Sequence, residues 1–320
     1  MRFFAFFTLF VTCCFAYAQE IEVNHQPYRK VANLSGSLTT VGSDTLAGIT
    51  TLWVEEFKHL YPAVDGEVQA SGSSTAPPAL TEGTAQFGPM SRPMRQREIE
   101  AFVRAYGYKP TELRIAIDAV GIFVHRDNPV DGLNFLQLDS VFSATFRCGA
   151  KRPVSTWAEL GLDYQWAKRG IQLFGRNSVS GTYGYFKKSA LCGGDFRANV
   201  NEQPGSASVV QAVSSSINTM GYSGVGYQVS GARLVPIARQ GKDYIYPSES
   251  NILSGRYPLS RPLYLYVNKN PAKPLSSLMK EFVLFIYSEQ GQSIVAKAGY
   301  VPVSVDMAAH ELNKVGLAEN

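Results

Sequence analysis

The stretch Gly175-Arg176-Asn177-Ser178-Val179-Ser180-Gly181-Thr182-Tyr183-Gly184-Tyr185-Phe186 decides the fold that we expect for this chain. It follows an apolar run at 171–174 that is typical of a strand, and it continues into residues 183–191, where aromatic and basic side chains have helical spacing. The pattern predicts a strand, a loop and then the N-terminus of a helix. The unpaired N–H groups and the partial positive charge of such a terminus bind anions.

The side chains of this loop suit the same chemistry. Arg176 would supply a positive charge in a planar fork that matches phosphate or carboxylate. Ser180 and Thr182 would donate hydroxyl hydrogens, and Gly181 would let the backbone approach a ligand closely. On the loop alone, an ordinary Ser/Gly turn beside a surface arginine explains these residues equally well.

Three more loops of this kind lie in the first third of the chain, at residues 42–45, 71–75 and 86–93. Each precedes a predicted helix, and the first two follow a predicted strand. Loops at the carboxyl ends of parallel strands gather at one edge of a sheet, so these loops should converge with the first one. Asp44 or Thr45 could instead cap a helix, and that alternative stays open. The loops add the candidate ligands Ser43, Asp44, Thr45, Ser73, Ser91 and Arg92.

Residues 1–18 have the form of a secretory signal peptide. A basic start, an apolar run to Phe15 and an A-x-A site predict cleavage after Ala18, so we expect an exported, periplasmic protein. A lipoprotein attached through Cys13 or Cys14 is the weaker alternative. No later stretch approaches the roughly 20 apolar residues of a membrane-spanning helix.

The mature chain would keep two cysteines, Cys148 and Cys192. An even number of cysteines in an oxidising compartment predicts one disulfide. Each cysteine begins a glycine-containing loop, so the bridge should join loops within one domain. A catalytic thiol is the alternative.

The domain organisation that we expect has two lobes joined by two chain crossings, which would let the lobes hinge around a ligand. Residues 113–124 are apolar and β-rich and lead out of the first lobe, and residues 257–267 lead back. The expected segments are a polar leader at 19–35, lobe 1 at 36–121 and 258–310, lobe 2 at 122–257, and one long helix at 278–298.

Charge and motif content weigh against nucleic-acid binding and against catalysis. The net charge of +4 is modest and is not gathered into long basic runs. The histidines lack metal-ligand spacing, and no G-x-S-x-G nucleophile motif is present. We therefore expect no cofactor, no nucleic-acid partner and no enzymatic activity, with an exported phosphatase as the alternative.

The order and spacing of these motifs resemble the periplasmic phosphate-binding proteins that deliver phosphate to an ABC transporter. The likeness runs from about Ser35 to Ser304 and includes the four loops, the glycine-rich run 221–227 and the segment 288–302. It implies an α/β type II periplasmic-binding-protein fold, in which two α/β lobes with a ligand cleft and two hinge crossings close over one phosphate. It also implies a monomer whose partners are inorganic phosphate and a membrane permease. The implied ligand residues are Ser43, Asp44, Thr45, Ser73, Ser91, Arg92, Arg176, Ser180, Gly181 and Thr182.

One position departs from the best-known branch of that family. That branch has a carboxylate after the serine of the third loop, where this chain has Arg92. The carboxylate accepts the proton of hydrogen phosphate and so rejects sulfate, which has no proton to offer. Our hypothesis is that Asp44, the only acid in the matched loops, takes over that role. Another oxyanion, such as sulfate or molybdate, or an extracellular adhesion role would be the alternatives.

Overall fold

A nine-stranded sheet runs through the protein, whose computed structural model describes residues 25–317. The sheet order is β2-β1-β3-β11-β4-β8-β6-β7, and β9 also pairs with β4. The strands are β1 Gly36–Val41, β2 Val64–Gln69, β3 Phe87–Met90, β4 Thr111–His125, β5 Leu133–Asn134, β6 Gln172–Arg176, β7 Val200–Gln203, β8 Thr219–Gly224, β9 Ala232–Val235, β10 Ile237–Ala238 and β11 Ser260–Val267.

Helices cover this sheet and connect its parallel strands. They are α1 Ala47–Leu60, α2 Ala76–Glu82, α3 Gln96–Tyr106, α4 Phe135–Phe142, α5 Gly181–Ala190, α6 Ser206–Ser214, α7 Glu249–Leu253, α8 Ser277–Ile286, α9 Glu289–Lys297 and α10 Val305–Lys314. Strand β1 pairs in parallel with β2 and β3, and β6 pairs in parallel with β7 and β8. The expected α/β fold of two lobes is confirmed.

The two lobes share the long strand β4. Its first part, to Ala119, pairs antiparallel with β11, and its second part, from Val120, pairs antiparallel with β8 and β9. The predicted strand at 113–124 is therefore confirmed, and the chain changes lobe inside it. The return crossing lies beside it, because Val120 donates its N–H to the carbonyl of Leu259.

Each lobe has its own hydrophobic core. The first core packs α1 and α8 against the sheet through Trp53, Phe57 and Phe282, which are at most 1% exposed. The second core is built around Trp157 and Tyr222, which are fully buried. Two separate cores allow each lobe to keep its structure while the lobes move relative to one another.

The predicted long helix at 278–298 is wrong, because α8 and α9 are separate helices. The Ser288 hydroxyl accepts a hydrogen bond from the N–H of Gly291, at 3.2 Å, and so starts α9 as its N-cap. A Cβ on Gly291 would lie 2.1 Å from the carbonyl oxygen of Phe285, so only glycine fits this close turn. The apolar spacing continues across the break and hides it in the sequence.

The polar leader is irregular, as expected, but its described residues pack on lobe 1. His25 is buried, and its Nε2 lies 2.8 Å from the carbonyl oxygen of Val303. The hydroxyl of Tyr28 lies 2.7 Å from that of Tyr61 and donates to Glu281 at 2.9 Å. The leader therefore closes one side of the first core.

Cys148 and Cys192 form the predicted disulfide, with 5.2 Å between their Cα atoms. The predicted signal peptide and its cleavage after Ala18 lie outside the described residues. Within residues 25–317, no helix has both the length and the apolar character needed to cross a bilayer.

Candidate anion-binding site

Three serine hydroxyls from lobe 1 form the floor of the site. Ser43, Ser73 and Ser91 each follow a parallel strand and are at most 1% exposed. The Ser43 hydroxyl donates to the Ser91 Oγ at 3.1 Å, and the Ser73 and Ser91 Oγ atoms are 3.2 Å apart. Parallel strand ends bring these hydroxyls together, as the sequence predicts.

The N-terminus of α5 lies directly opposite, on lobe 2. Ser180 caps this helix, because its Oγ accepts the N–H of Thr182 at 3.1 Å. A Cβ on Gly181 would lie 2.4 Å from the Oγ atoms of both Ser73 and Ser91, so only glycine allows this approach. The predicted loop between strand and helix is confirmed, and it brings the positive end of α5 to the serine floor.

Hydrogen bonds join the lobes around this contact. The Oγ1 atoms of Thr45 and Thr182 are 3.0 Å apart, and both residues are at most 1% exposed. The N–H of Ser74 donates to the carbonyl of Val179 at 3.2 Å. The hydroxyl cluster is thus enclosed by both lobes.

Arg176 and Asp44 form an ion pair between the lobes. Nη2 of Arg176 donates to Oδ1 of Asp44 at 3.0 Å, and Nη1 donates to the Ser206 hydroxyl at 2.7 Å. Oδ2 of Asp44 accepts both the N–H and the hydroxyl of Ser206, at 3.0 and 3.1 Å. Burial lowers the pKa of Arg176, and the Asp44 charge opposes that shift. Asp44 makes no capping bond, so its alternative role as a helix N-cap is wrong.

Arg92 is held inside lobe 1 by a carboxylate. Its Nη1 and Nη2 donate to the two oxygens of Glu98, each at 2.8 Å, and Nη2 also donates to the Ser74 hydroxyl. Burial raises the pKa of Glu98, but hydrogen bonds from Arg92 and from the N–H of Arg95, together with the charges of both arginines, outweigh burial and lower it. Within the described chain the Arg92 Nε, which is buried, is left without a hydrogen-bond partner. Because Glu98 compensates its charge, Arg92 adds no net charge to the site.

The PBP superfamily domain matches residues 29–290 of this chain. The phosphate-binding protein PstS of Pseudomonas aeruginosa is 56% identical over 291 residues, which are 91% of this chain and 90% of that protein. The chain belongs to the PstS family of phosphate-binding proteins.

Solved structures show the same fold. A phosphate ABC transporter substrate-binding protein from Clostridium perfringens, with bound phosphate, has a TM-score of 0.70 and 26% identity and covers 84% of this chain and 100% of its own. An ABC-type phosphate transport receptor from Vibrio cholerae has a TM-score of 0.65 and 21% identity, with 83% and 100% covered. At 21% identity, this second similarity supports the fold only.

Two charged residues beneath the site of this PstS-family chain escaped the sequence analysis. Asp118 on β4 and Arg261 on β11 are 0% and 3% exposed, and they form an ion pair at 2.8 Å. Burial raises the pKa of Asp118, although the Arg261 charge lowers it. The sequence shows that each of these charged residues lies within an apolar strand, but it does not show that they pair with each other or that they lie near the site.

Other contacts of the site were missed because their sequences look ordinary. The hydroxyls of Tyr227 and Tyr300 donate to the backbone carbonyl of Thr45, and that of Tyr227 also donates to the carbonyl of Asp44. Ser206 begins α6 and receives the Asp44 carboxylate. These residues support the first loop from below. Within the described part of the PstS-family chain, no cluster of His, Cys, Asp and Glu could hold a metal ion.

Proposed function

We propose that this protein captures inorganic phosphate between its two lobes and delivers it to the permease of an ABC transporter. The observation that carries the proposal is the facing arrangement of the buried serine floor and the N-terminus of α5, with Arg176 beside them. The relative from Pseudomonas aeruginosa is named as a phosphate-binding protein, and the neighbour from Clostridium perfringens holds phosphate. The protein acts by binding, without catalysis.

The proposed ligand set fits the energetics of a dehydrated anion. An oxyanion that loses its water must receive many aligned hydrogen bonds, because unpaired buried charge is strongly destabilising. Serine and threonine hydroxyls and the first N–H groups of α5 supply such donors without adding formal charge. Arg176 adds one positive charge, which Asp44 partly balances. We propose that the site is formed by nine residues, namely Ser43, Asp44, Thr45, Ser73, Ser91, Arg176, Ser180, Gly181 and Thr182. Arg92 of the third loop lies behind them, with its side chain paired with Glu98.

We propose Asp44 as the residue that distinguishes hydrogen phosphate from sulfate. A carboxylate offers about four acceptor positions, and Arg176 and Ser206 occupy three of those of Asp44. The remaining position on Oδ1 can accept the single proton of hydrogen phosphate. Sulfate offers no proton and would meet only the negative charge.

The proposed setting is the periplasm, which the protein would reach through a signal peptide at residues 1–18. We propose that it works as a monomer, with lobe 1 at residues 36–121 and 258–310 and lobe 2 at residues 122–257. The sharing of β4 between the two halves of the sheet supports the first boundary. Closure of the lobes would complete the donor set, so binding and hinge motion form one equilibrium.

Calorimetric titration of the ligand-stripped protein with phosphate, repeated in excess sulfate, tests the proposal. We expect binding of one phosphate per chain that sulfate does not displace, and its loss in Arg176→Ala. Arg233→Ala is the matched control, since Arg233 is a part-buried arginine of the same lobe whose hydrogen-bond partners within residues 25–317 are the carbonyls of Asn128 and Val130. A folded wild-type protein that gives no heat with phosphate would show the proposal to be wrong.

A further inference from the structure

The Arg261 guanidinium lies where both crossings and both lobes meet. Its Nε and Nη2 donate to Oδ2 of Asp118 on β4, at 3.0 and 2.8 Å. Nη1 donates to the carbonyl of Ser91 in lobe 1 at 3.0 Å, and Nη2 also donates to Oγ1 of Thr182 in lobe 2 at 2.9 Å. From β11, this side chain thus binds the other crossing strand and a site residue from each lobe.

The bond from Arg261 determines what the Thr182 hydroxyl can do. A guanidinium only donates hydrogen bonds, so Thr182 must act as the acceptor in this pair. The hydroxyl has a single hydrogen, and that hydrogen is then free to point away from Arg261, towards Thr45 or towards a ligand. Arg261 therefore makes Thr182 a hydrogen-bond donor, which is the role that an anion requires.

A hydroxyl of the serine floor is also left free to act as a hydrogen-bond donor. The Ser91 N–H donates to Oγ of Ser73 at 3.0 Å, so Ser73 accepts this bond and keeps its own hydrogen for another partner. Arg261 holds the backbone of this loop through the Ser91 carbonyl. One guanidinium thus supports donors on both sides of the contact between the lobes.

Asp118 allows Arg261 to sit there without adding net charge. The carboxylate is fully buried, and the pair cancels its own charge beneath the site. Within the described chain Oδ1 of Asp118 has no hydrogen-bond partner, so Oδ2 alone anchors Arg261. Asp118 therefore fixes the guanidinium plane from β4.

We propose that Arg261, held by Asp118, is a positioning residue that orients the Thr182 hydroxyl as a donor to the bound oxyanion and does not itself contact the anion. The inference rests on the proposed binding of phosphate at this site. The buried ion pair of Asp118 and Arg261 at the hinge would thus affect ligand affinity through Thr182.

A double-mutant cycle on phosphate affinity tests this inference. Thr182→Val removes the hydroxyl, and Arg261→Met removes every donor of the guanidinium while keeping an unbranched side chain. We expect each single variant to weaken phosphate binding about ten- to a hundredfold, as for the loss of a hydrogen bond to a charged group. The loss in the double variant should fall clearly short of the two single losses combined, because Arg261→Met can remove the orientation of the Thr182 hydroxyl only where that hydroxyl is present, and only its bond to the Ser91 carbonyl acts separately.

Arg114→Met is the matched control, because Arg114 also lies on a crossing strand and pairs with a buried acid, Glu311, away from the site. Its phosphate affinity should equal that of the wild type. Thermal melting of each ligand-free variant checks that the protein is folded. If Arg261→Met does not melt cooperatively, Arg261→Lys replaces it, since the ammonium keeps the charge but cannot reproduce the four bonds of the guanidinium.

The outcomes separate this inference from the proposed function. Wild-type protein that fails to bind phosphate overturns the proposed function and removes the basis of the inference. Wild-type binding with additive losses in the double variant overturns the inference alone, because Arg261 would then act independently of Thr182. An unchanged affinity in the folded Arg261 variant overturns it as well.

Discussion

Gly181→Ala should separate lobe closure from the folding of the lobes. The added Cβ would lie 2.4 Å from the hydroxyl oxygens of Ser73 and Ser91, where ordinary contacts exceed about 3.4 Å. The serine loops are buried and backbone-bonded, so the overlap is relieved by moving α5 away from lobe 1 by about 1 Å. The closed arrangement is destabilised, and the lobes themselves are unaffected.

The magnitude follows from the bonds that such a movement breaks. The Thr45–Thr182 contact at 3.0 Å and the Ser74–Val179 bond at 3.2 Å span the gap and would lengthen beyond hydrogen-bonding distance. Each neutral bond contributes roughly 0.5–1.5 kcal/mol, and a bond from the α5 terminus to an anion roughly 1.5–3 kcal/mol. Two neutral bonds and one bond to the anion total about 2.5–6 kcal/mol, which corresponds to phosphate binding about 60- to 20,000-fold weaker.

Gly184→Ala provides the matched control on the same helix. Its Cβ would meet nothing closer than the Cδ of Arg92, at 3.7 Å, which is an ordinary contact. Calorimetric titration with phosphate should give wild-type affinity for Gly184→Ala and the predicted loss for Gly181→Ala. The ligand-free melting temperature should not fall in either variant, because alanine favours a helix by up to about 1 kcal/mol over glycine.

Equal phosphate affinity in the two alanine variants would refute the reasoning, since it would mean that the ligand binds without the contact between α5 and the serine floor. A fall in the melting temperature of ligand-free Gly181→Ala would refute the separation of closure from folding. Small-angle scattering with saturating phosphate gives an independent measure. The wild type and Gly184→Ala should contract, and Gly181→Ala should contract less.

Three further predictions concern selectivity, the disulfide and pH. Asp44→Asn should let sulfate compete with phosphate, measured as the ratio of the two dissociation constants, while Asp65→Asn, at an exposed position of β2, leaves that ratio unchanged. Replacing both Cys148 and Cys192, 44 residues apart, by alanine should lower the free energy of unfolding by about 2–4 kcal/mol in urea, and a reducing agent should then have no further effect. Hydrogen bonds from the N–H of Ser155 and from Thr156 and Arg152 outweigh burial and lower the pKa of Glu159 from 4.5 to about 2. Because the pKa of Glu159 is lower in the folded protein, its stabilisation is complete above the unfolded pKa and is lost as pH falls towards about 2. Glu159→Gln should therefore lower the midpoint of urea unfolding at pH 7, and the difference from wild type should shrink in acid.

The loop at residues 175–186 could be predicted because its chemistry is local. A strand, a small polar loop and a capped helix are specified by neighbouring residues, and the structure has β6, Ser180 and α5 in that order. The same holds for the other strand-to-helix loops, since parallel strand ends must gather at one edge. Resemblance to a known family then supplied the arrangement of the lobes.

Interactions over long sequence separations could not be predicted in this way. The N-cap and ligand roles of Asp44 are nearly tied in its own loop, and its carboxylate instead binds Arg176, which is 132 residues away. Asp118 and Arg261 are 143 residues apart, and in the sequence each is only a charged residue within an apolar strand, with no sign of its partner. The prediction of one helix at 278–298 failed for the opposite reason. The helical spacing of apolar residues continues across the break, and the close packing around Gly291 that accompanies the break is not visible in that spacing.

The shared strand β4 makes the two lobes depend on each other during folding. Its 15 residues complete the sheet of lobe 1 with one end and that of lobe 2 with the other. A chain divided within β4 would give two fragments with unpaired sheet edges, which are prone to aggregate. We therefore expect calorimetry of the intact protein to show a single unfolding transition. An inserted fluorescent reporter belongs in an exposed turn such as the one at Gly241, where it would leave this strand whole.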